Sequence, residues 1–209
     1  MRFTALLTAL LVAAGAQAQQ IEKRDVHIAV GGKSALYYLP LVLTERLNYF
    51  KDEGLNVRIS DFAGGTRSLE AVVGGSADVV SGAYEHTINM QSRKQNFQAF
   101  VLMGAAPQIS VGISSKLAEK YKSPKDLKGL KVGVSAPGSS TNMVINYVLA
   151  QGGLKPTDVA IIGVGQGATV IAAMEQGKVD VVSQTDPAVT MLEKDGKIKI
   201  GRASCRERV

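Results

Sequence analysis

Gly75-Ser76-Ala77-Asp78-Val79-Val80-Ser81 and Gly177-Lys178-Val179-Asp180-Val181-Val182-Ser183 state one pattern twice. The offset is constant: Asp78 and Asp180 lie 102 positions apart, as do Gly65 and Gly167 in the turns Ala63-Gly64-Gly65-Thr66 and Gly165-Gln166-Gly167-Ala168. Each copy reads as a Gly-rich turn, a short helix stopped by glycine, and a strand opening on a small residue and aspartate. Two like α/β units that face each other enclose a cleft, and such a cleft suits a small molecule.

The flanking segments extend this reading. In the first half, residues 25–30, 55–60, 78–81 and 97–103 read as strands. Helices are expected from Leu39 to Phe50, where Leu41, Leu43, Leu47 and Phe50 approximate one apolar face, after Thr66, and from Gly82 toward Arg93. Gly104-Ala105-Ala106-Pro107 is breaker-rich and marks a passage between lobes. Beyond it, strands at 108–114, 131–134, 160–164, 179–183 and from 197 onward alternate with helices at 115–121, 143–149, 169–175 and 187–194. This alternation predicts parallel or mostly parallel sheets with right-handed crossovers. The expected lobes are residues 19–107 and 108–199.

Both ends of the chain stand apart. Arg2, an apolar run from Phe3 to Ala14 and the small-residue site Ala16-Gln17-Ala18 make residues 1–18 a secretory signal peptide, so the mature protein begins near Gln19 outside the cytoplasm. Residues 200–209, Ile-Gly-Arg-Ala-Ser-Cys-Arg-Glu-Arg-Val, resemble the translation of a short-read sequencing adapter and are expected to be foreign to the protein. Setting aside Arg2, Arg202, Arg206, Arg208 and Glu207 lowers the formal charge from +6 to +3, which gives no argument for nucleic acid. The only cysteine is Cys205, so the body has no disulfide, thiolate metal site or cysteine nucleophile.

Candidate chemistry lies where strands run into helices. Pro137-Gly138-Ser139-Ser140-Thr141 follows a strand and opens a helix, offering unpaired N–H groups, the positive end of the helix dipole and three hydroxyls. That is a ready anion site; the same hydroxyls also suit a helix cap that serves only the helix. It lacks the Walker lysine, so no nucleotide P-loop is expected. Further loops at strand ends hold Lys33, Ser34, Thr66, Tyr84, Glu85, Gln166 and Asp186. His27 reads as a structural strand residue. Glu85 suits a donor group on a ligand, and would repel a bare anion unless Lys33 or Arg67 offsets it. No histidine cluster suits zinc and no nucleophile elbow is present, so neither metal nor catalysis is expected.

Taken together, Gly32-Lys33-Ser34, Gly64-Gly65-Thr66, Gly75 to Ser81, Asp126 to Val134 and Pro137 to Thr141 resemble the solute-binding proteins of ABC importers, in the nitrate/sulfonate/taurine branch that also holds thiamine-precursor binders. The resemblance covers roughly residues 25 to 199. It implies a two-lobed, type II periplasmic-binding-protein fold that closes on its solute by hinge motion. It also implies a periplasmic, monomeric, non-catalytic receptor without cofactor, delivering solute to an inner-membrane permease. Positions carried over as ligand loops are Lys33, Ser34, Thr66, Tyr84, Glu85, Ser139, Ser140, Thr141, Gln166 and Asp186, with Tyr38 and Tyr84 as walls and Pro137 and Gly138 shaping the helix start. A pyrimidine binder or synthesis enzyme on the same fold is the second reading. In such proteins the chain returns to finish the first lobe; here it stops before that crossover. The first lobe is therefore expected to be incomplete, with exposed apolar surface.

Overall fold

The structure, a computed structural model, describes residues 21–201; the expected signal peptide and residues 202–209 lie outside them. Two sheets carry the chain. The first has three parallel strands, β1 (Asp25–Val30), β2 (Asn56–Asp61) and β3 (Val79–Ser81), in the order β2-β1-β3. The second has five: β4 (Ile109–Ser114), β5 (Lys131–Val134), β6 (Ala160–Gly163), β7 (Val181–Thr185) and β8 (Ile198–Ile200), in the order β6-β5-β7-β4-β8. Here β5, β6 and β7 are parallel, whereas β4 runs antiparallel to both β7 and β8, so this sheet is mixed.

The sequence repeat is a structural repeat. In the first unit α3 (Gly65–Val73) leads into β3, and in the second α6 (Ala168–Glu175) leads into β7. The helices end alike: Ser76 N–H reaches back to Ala71 O and Lys178 N–H to Ala173 O, around Gly75 (φ 74°) and Gly177 (φ 66°). This six-to-one bond with a left-handed glycine is a Schellman closure. The aspartates then lock the strands. Asp78 N–H donates to His27 O while its carboxylate accepts from His27 N–H; Asp180 does the same with Lys131.

Helix α5 (Ser140–Gln151) shows why the second lobe is solid. Val144, Ile145, Val148 and Leu149 recur on one face and are buried against β4, β5 and β7. Full burial of a side chain such as Ile145 or Leu149 contributes about 1.5–3 kcal/mol each. A second cluster joins α6, α7 (Ala188–Lys194) and β8 through Val170, Leu192 and Ile198.

Expectations change in both lobes. The helix from Leu39 to Phe50 breaks at Asn48, whose φ of 63° is left-handed, into α1 (Leu39–Arg46) and α2 (Tyr49–Asp52). Leu41 is buried, but Leu43 and Leu47 are exposed, because no neighbouring element covers that face among the described residues. Residues 97–103 form no strand; Phe100, Val101 and Leu102 are 77%, 65% and 81% exposed. Among the described residues β3 pairs with β1 alone, and this apolar run joins no ladder. Residues 115–121 form turns instead of a helix. Ile200, expected in the foreign tail, pairs with Gly112 at the end of β8.

Candidate functional site

The carboxyl ends of both sheets point at one seam, and the two lobes meet there directly. Thr66 Oγ1 donates to Pro137 O at 3.0 Å. Gln166 Nε2 donates to Gly31 O at 2.9 Å, and its Oε1 accepts from Thr185 Oγ1 at 3.0 Å. Leu36 N–H donates to Asp186 O at 3.0 Å. Two glycines let the backbones approach. A Cβ at Gly64 would stand 3.1 Å from Ala136 Cβ, and one at Gly32 (φ 97°) would stand 2.6 Å from Gln166 Cδ.

Two helix starts face this seam. The N–H groups of Gly65 and Thr66, at the head of α3, donate to no partner among the described residues; nor do those of Ser140 and Thr141, at the head of α5. Such groups carry the positive end of the helix dipole and suit an anion. The Thr66–Pro137 bond brings the two heads together.

The expected hydroxyls at α5 divide into two kinds. Ser139 and Thr141 are buried and turned inward, where their Oγ atoms lie 2.8 Å apart and both contact Ser135 Oγ at 3.0 Å. Ser139 also caps the helix by accepting from Asn142 N–H. Those two side chains hold the helix start in place rather than facing a ligand. Ser140 is half-buried, and Pro137 and Gly138 are exposed.

The remaining expected residues scatter similarly. Ser34, Thr66, Gln166 and Asp186 come together at the seam. The Asp186 carboxylate also accepts from the N–H and hydroxyl of Thr190, at the start of α7. Lys33 turns away and pairs with Glu45, while its N–H and that of Gly32 are held by Asp61. Tyr38, expected as a wall, is 1% exposed in the core of the first lobe. Tyr84 is 68% exposed. His27 is structural, its ring nitrogens 2.6 Å from Ser76 O and 2.8 Å from Ser60 Oγ.

Glu85 and His86 open α4 (Glu85–Ser92) just beyond β3. Glu85 Oε1 and His86 Nε2 are buried and have no hydrogen-bond partner among the described residues. His86 Nε2 aims at Gly65, where a Cβ would stand 3.0 Å away. Burial holds the His86 pKa below the ordinary imidazole value, with the Glu85 carboxylate working against that shift. Tyr37 was not expected here. Burial raises its phenol pKa, hydrogen bonds to Tyr38 and Gln166 oppose the rise, and nearby Glu85 adds to it. Only its aromatic side chain beside a Gly-rich turn could have marked Tyr37, and Tyr38 carried the same signal.

Away from the seam, a cavity of about 400 Å³ lies within the first lobe, lined by Ile28, Leu41, Phe50, Leu69, Phe97 and Met103 among others. It is mostly apolar and lies against the edge of β3, which has no second neighbour among the described residues.

Comparison with known proteins gives a consistent answer. The sequence matches the family described as NMT1/THI5 like over residues 35–203. It is 27% identical over 150 residues to the taurine-binding periplasmic protein of Escherichia coli K12, covering 72% of this chain and 45% of that one. A solved structure from Bordetella bronchiseptica RB50 is 57% identical with a TM-score of 0.86, covering 89% of this chain and 58% of that one. The alkanesulfonate-binding protein SsuA of Xanthomonas axonopodis pv. citri shares the fold at 22% identity and a TM-score of 0.64, over 87% of this chain and 61% of that one. The fold is that of type II periplasmic binding proteins. The chain spans about half the length of the curated relatives it matches.

Proposed function

The chain belongs to the NMT1/THI5-like family, and from that we propose that it acts as the solute-binding receptor of an ABC importer, outside the cytoplasm. Its solute is a small anion of the sulfonate kind, held in the seam between the lobes. One observation carries the reading: the heads of α3 and α5, with four unpartnered amide groups, are brought to the same seam by Thr66 and Pro137. Two opposed dipole ends bind a compact anion without needing a formal cation. The likeness to the taurine-binding protein of Escherichia coli K12 supports the same class of solute.

Lobe motion is the second element. Polar contacts close the seam, and each is a single hydrogen bond of modest worth, about 1 kcal/mol. A seam held this lightly opens to admit solute and closes on it. The closed receptor presents both lobes together to a membrane permease. The reading is of a monomer that binds and releases its solute unchanged.

Calorimetric titration with taurine, ethanesulfonate and nitrate tests the proposal. A one-to-one, reversible isotherm with a sulfonate supports it. Absence of heat with every one of these anions, or recovery of a chemically altered compound, overturns it.

A further inference from the structure

We propose that Glu85 selects solutes that carry an ammonium group beside their anionic group, so that the receptor takes amino-sulfonates in preference to plain sulfonates or inorganic anions. This rests on the seam being the solute site. Glu85 Oε1 is buried without a hydrogen-bond partner, and no hydrogen bond or ion pair reaches this carboxylate among the described residues. Leaving such an oxygen unpaired is costly, and a ligand donor removes the cost.

The position is right for that role. Glu85 follows the carboxyl end of β3, next to His86, whose Nε2 aims at the head of α3. It also lies close enough to Tyr37 for its charge to raise that phenol's pKa, and the same phenol feels Gln166 of the other lobe. The carboxylate thus stands by the proposed anion site. It is absent from the lining of the apolar cavity, which His86 and Tyr84 do reach.

The neighbouring cations do not neutralise it. Lys33 is paired with Glu45, and Arg67 is exposed and paired with Glu70. A bare anion at the heads of α3 and α5 therefore meets an uncompensated negative charge. A zwitterion presents its anion to the amide groups and its ammonium to Glu85, and both ends are satisfied.

The test is calorimetry on the full chain with three matched pairs: amino-methanesulfonate and methanesulfonate, taurine and ethanesulfonate, 3-aminopropanesulfonate and propanesulfonate. In at least one pair the amino member should bind tighter by on the order of tenfold to a hundredfold, the usual worth of a charge-assisted hydrogen bond. In Glu85→Gln that ratio should collapse toward unity, with the plain sulfonate bound as well as before or better. If the plain sulfonates bind and no pair shows the preference, the selectivity inference fails while the receptor reading stands. Retention of the preference in Glu85→Gln removes Glu85 from the role. If neither member of any pair binds, the inference falls together with the sulfonate-receptor reading.

Discussion

Replacing Gly64 by alanine should weaken closure of the seam without disturbing either lobe. The backbone at Gly64 is extended, with φ 165° and ψ 167°, so alanine brings no torsional strain. The effect is steric and falls between the lobes. The new Cβ would stand 3.1 Å from Ala136 Cβ and from Ser135 C, and 3.2 Å from Ser135 Oγ. Ordinary carbon–carbon contacts lie at about 3.5–4.0 Å, so the lobes must part by roughly half an ångström. Overpacking of this size costs about 1–2 kcal/mol, which shifts the closed population, and with it the solute affinity, by about 5- to 30-fold. Titration with the tightest sulfonate measures the affinity. Spin labels on one exposed site per lobe measure the separation, with Cys205→Ser removing the sole native thiol. Gly104→Ala is the control, since a Cβ there meets nothing within 4 Å. Wild-type affinity together with a wild-type distance distribution in Gly64→Ala would refute the reasoning.

Gln166→Ala removes the bond that crosses to Gly31, so it should open the seam in the same direction by about 1 kcal/mol, read by the same titration; the bond from Thr185, also lost, lies within the second lobe. Thermal stability should respond to His86. Its folded pKa is depressed below 6.5, so the unfolded chain takes up the proton first; the melting temperature should hold above about pH 7 and fall as pH drops through the ordinary imidazole value. His86→Gln should flatten that part of the profile, and superimposable curves for the two proteins would count against burial as the cause. The exposed Phe100, Val101 and Leu102 should make the 209-residue chain aggregation-prone, with strong binding of a hydrophobic dye. A soluble chain that melts cooperatively and ignores the dye would defeat that expectation.

What could be read from the sequence was what repeats or alternates. The paired Gly-rich turns and paired aspartates gave both β-α-β units, because the same local bonds are made at Asp78 and Asp180. The strand expected at 97–103 was illegible for a physical reason. Its residues have strand composition, but pairing is a property of the neighbour, and β3 offers this run no paired register. The same limit applied at the site. Ser139, Ser140 and Thr141 are chemically alike in the sequence, yet the helix turn directs Ser139 and Thr141 into the buried cluster around Ser135 and leaves Ser140 outside it, half-buried. Tyr37 and Tyr38 are likewise adjacent and alike. Only packing on the core distinguishes Tyr38, which fills it, from Tyr37, which reaches Gln166.

The repeat also explains how the seam is matched. By the aspartate locks, His27 in β1 corresponds to Lys131 in β5, so the strand ends Gly31-Gly32 correspond to Ser135-Ala136. By the 102-residue offset, Gly64 corresponds to Gln166. Gly64 packs on Ser135 and Ala136, and Gln166 packs on Gly31 and Gly32, so the two contacts are the same contact made from opposite lobes. Their sizes are complementary in different ways. One arm sets a glycine against small residues and closes by steric fit alone; the other sets a long amide against two glycines and closes by hydrogen bonding. A repeat with glycine at both positions would fit but lack the bond to Gly31, and one with glutamine at both would drive a side chain into Ala136. The divergence of the two copies at this pair of positions thus lets a near-symmetric frame shut. Gly31, which accepts the Gln166 bond, packs directly on Gly64, so the two arms are coupled, and the effects of Gly64→Ala and Gln166→Ala on affinity should fall short of additive in the double variant.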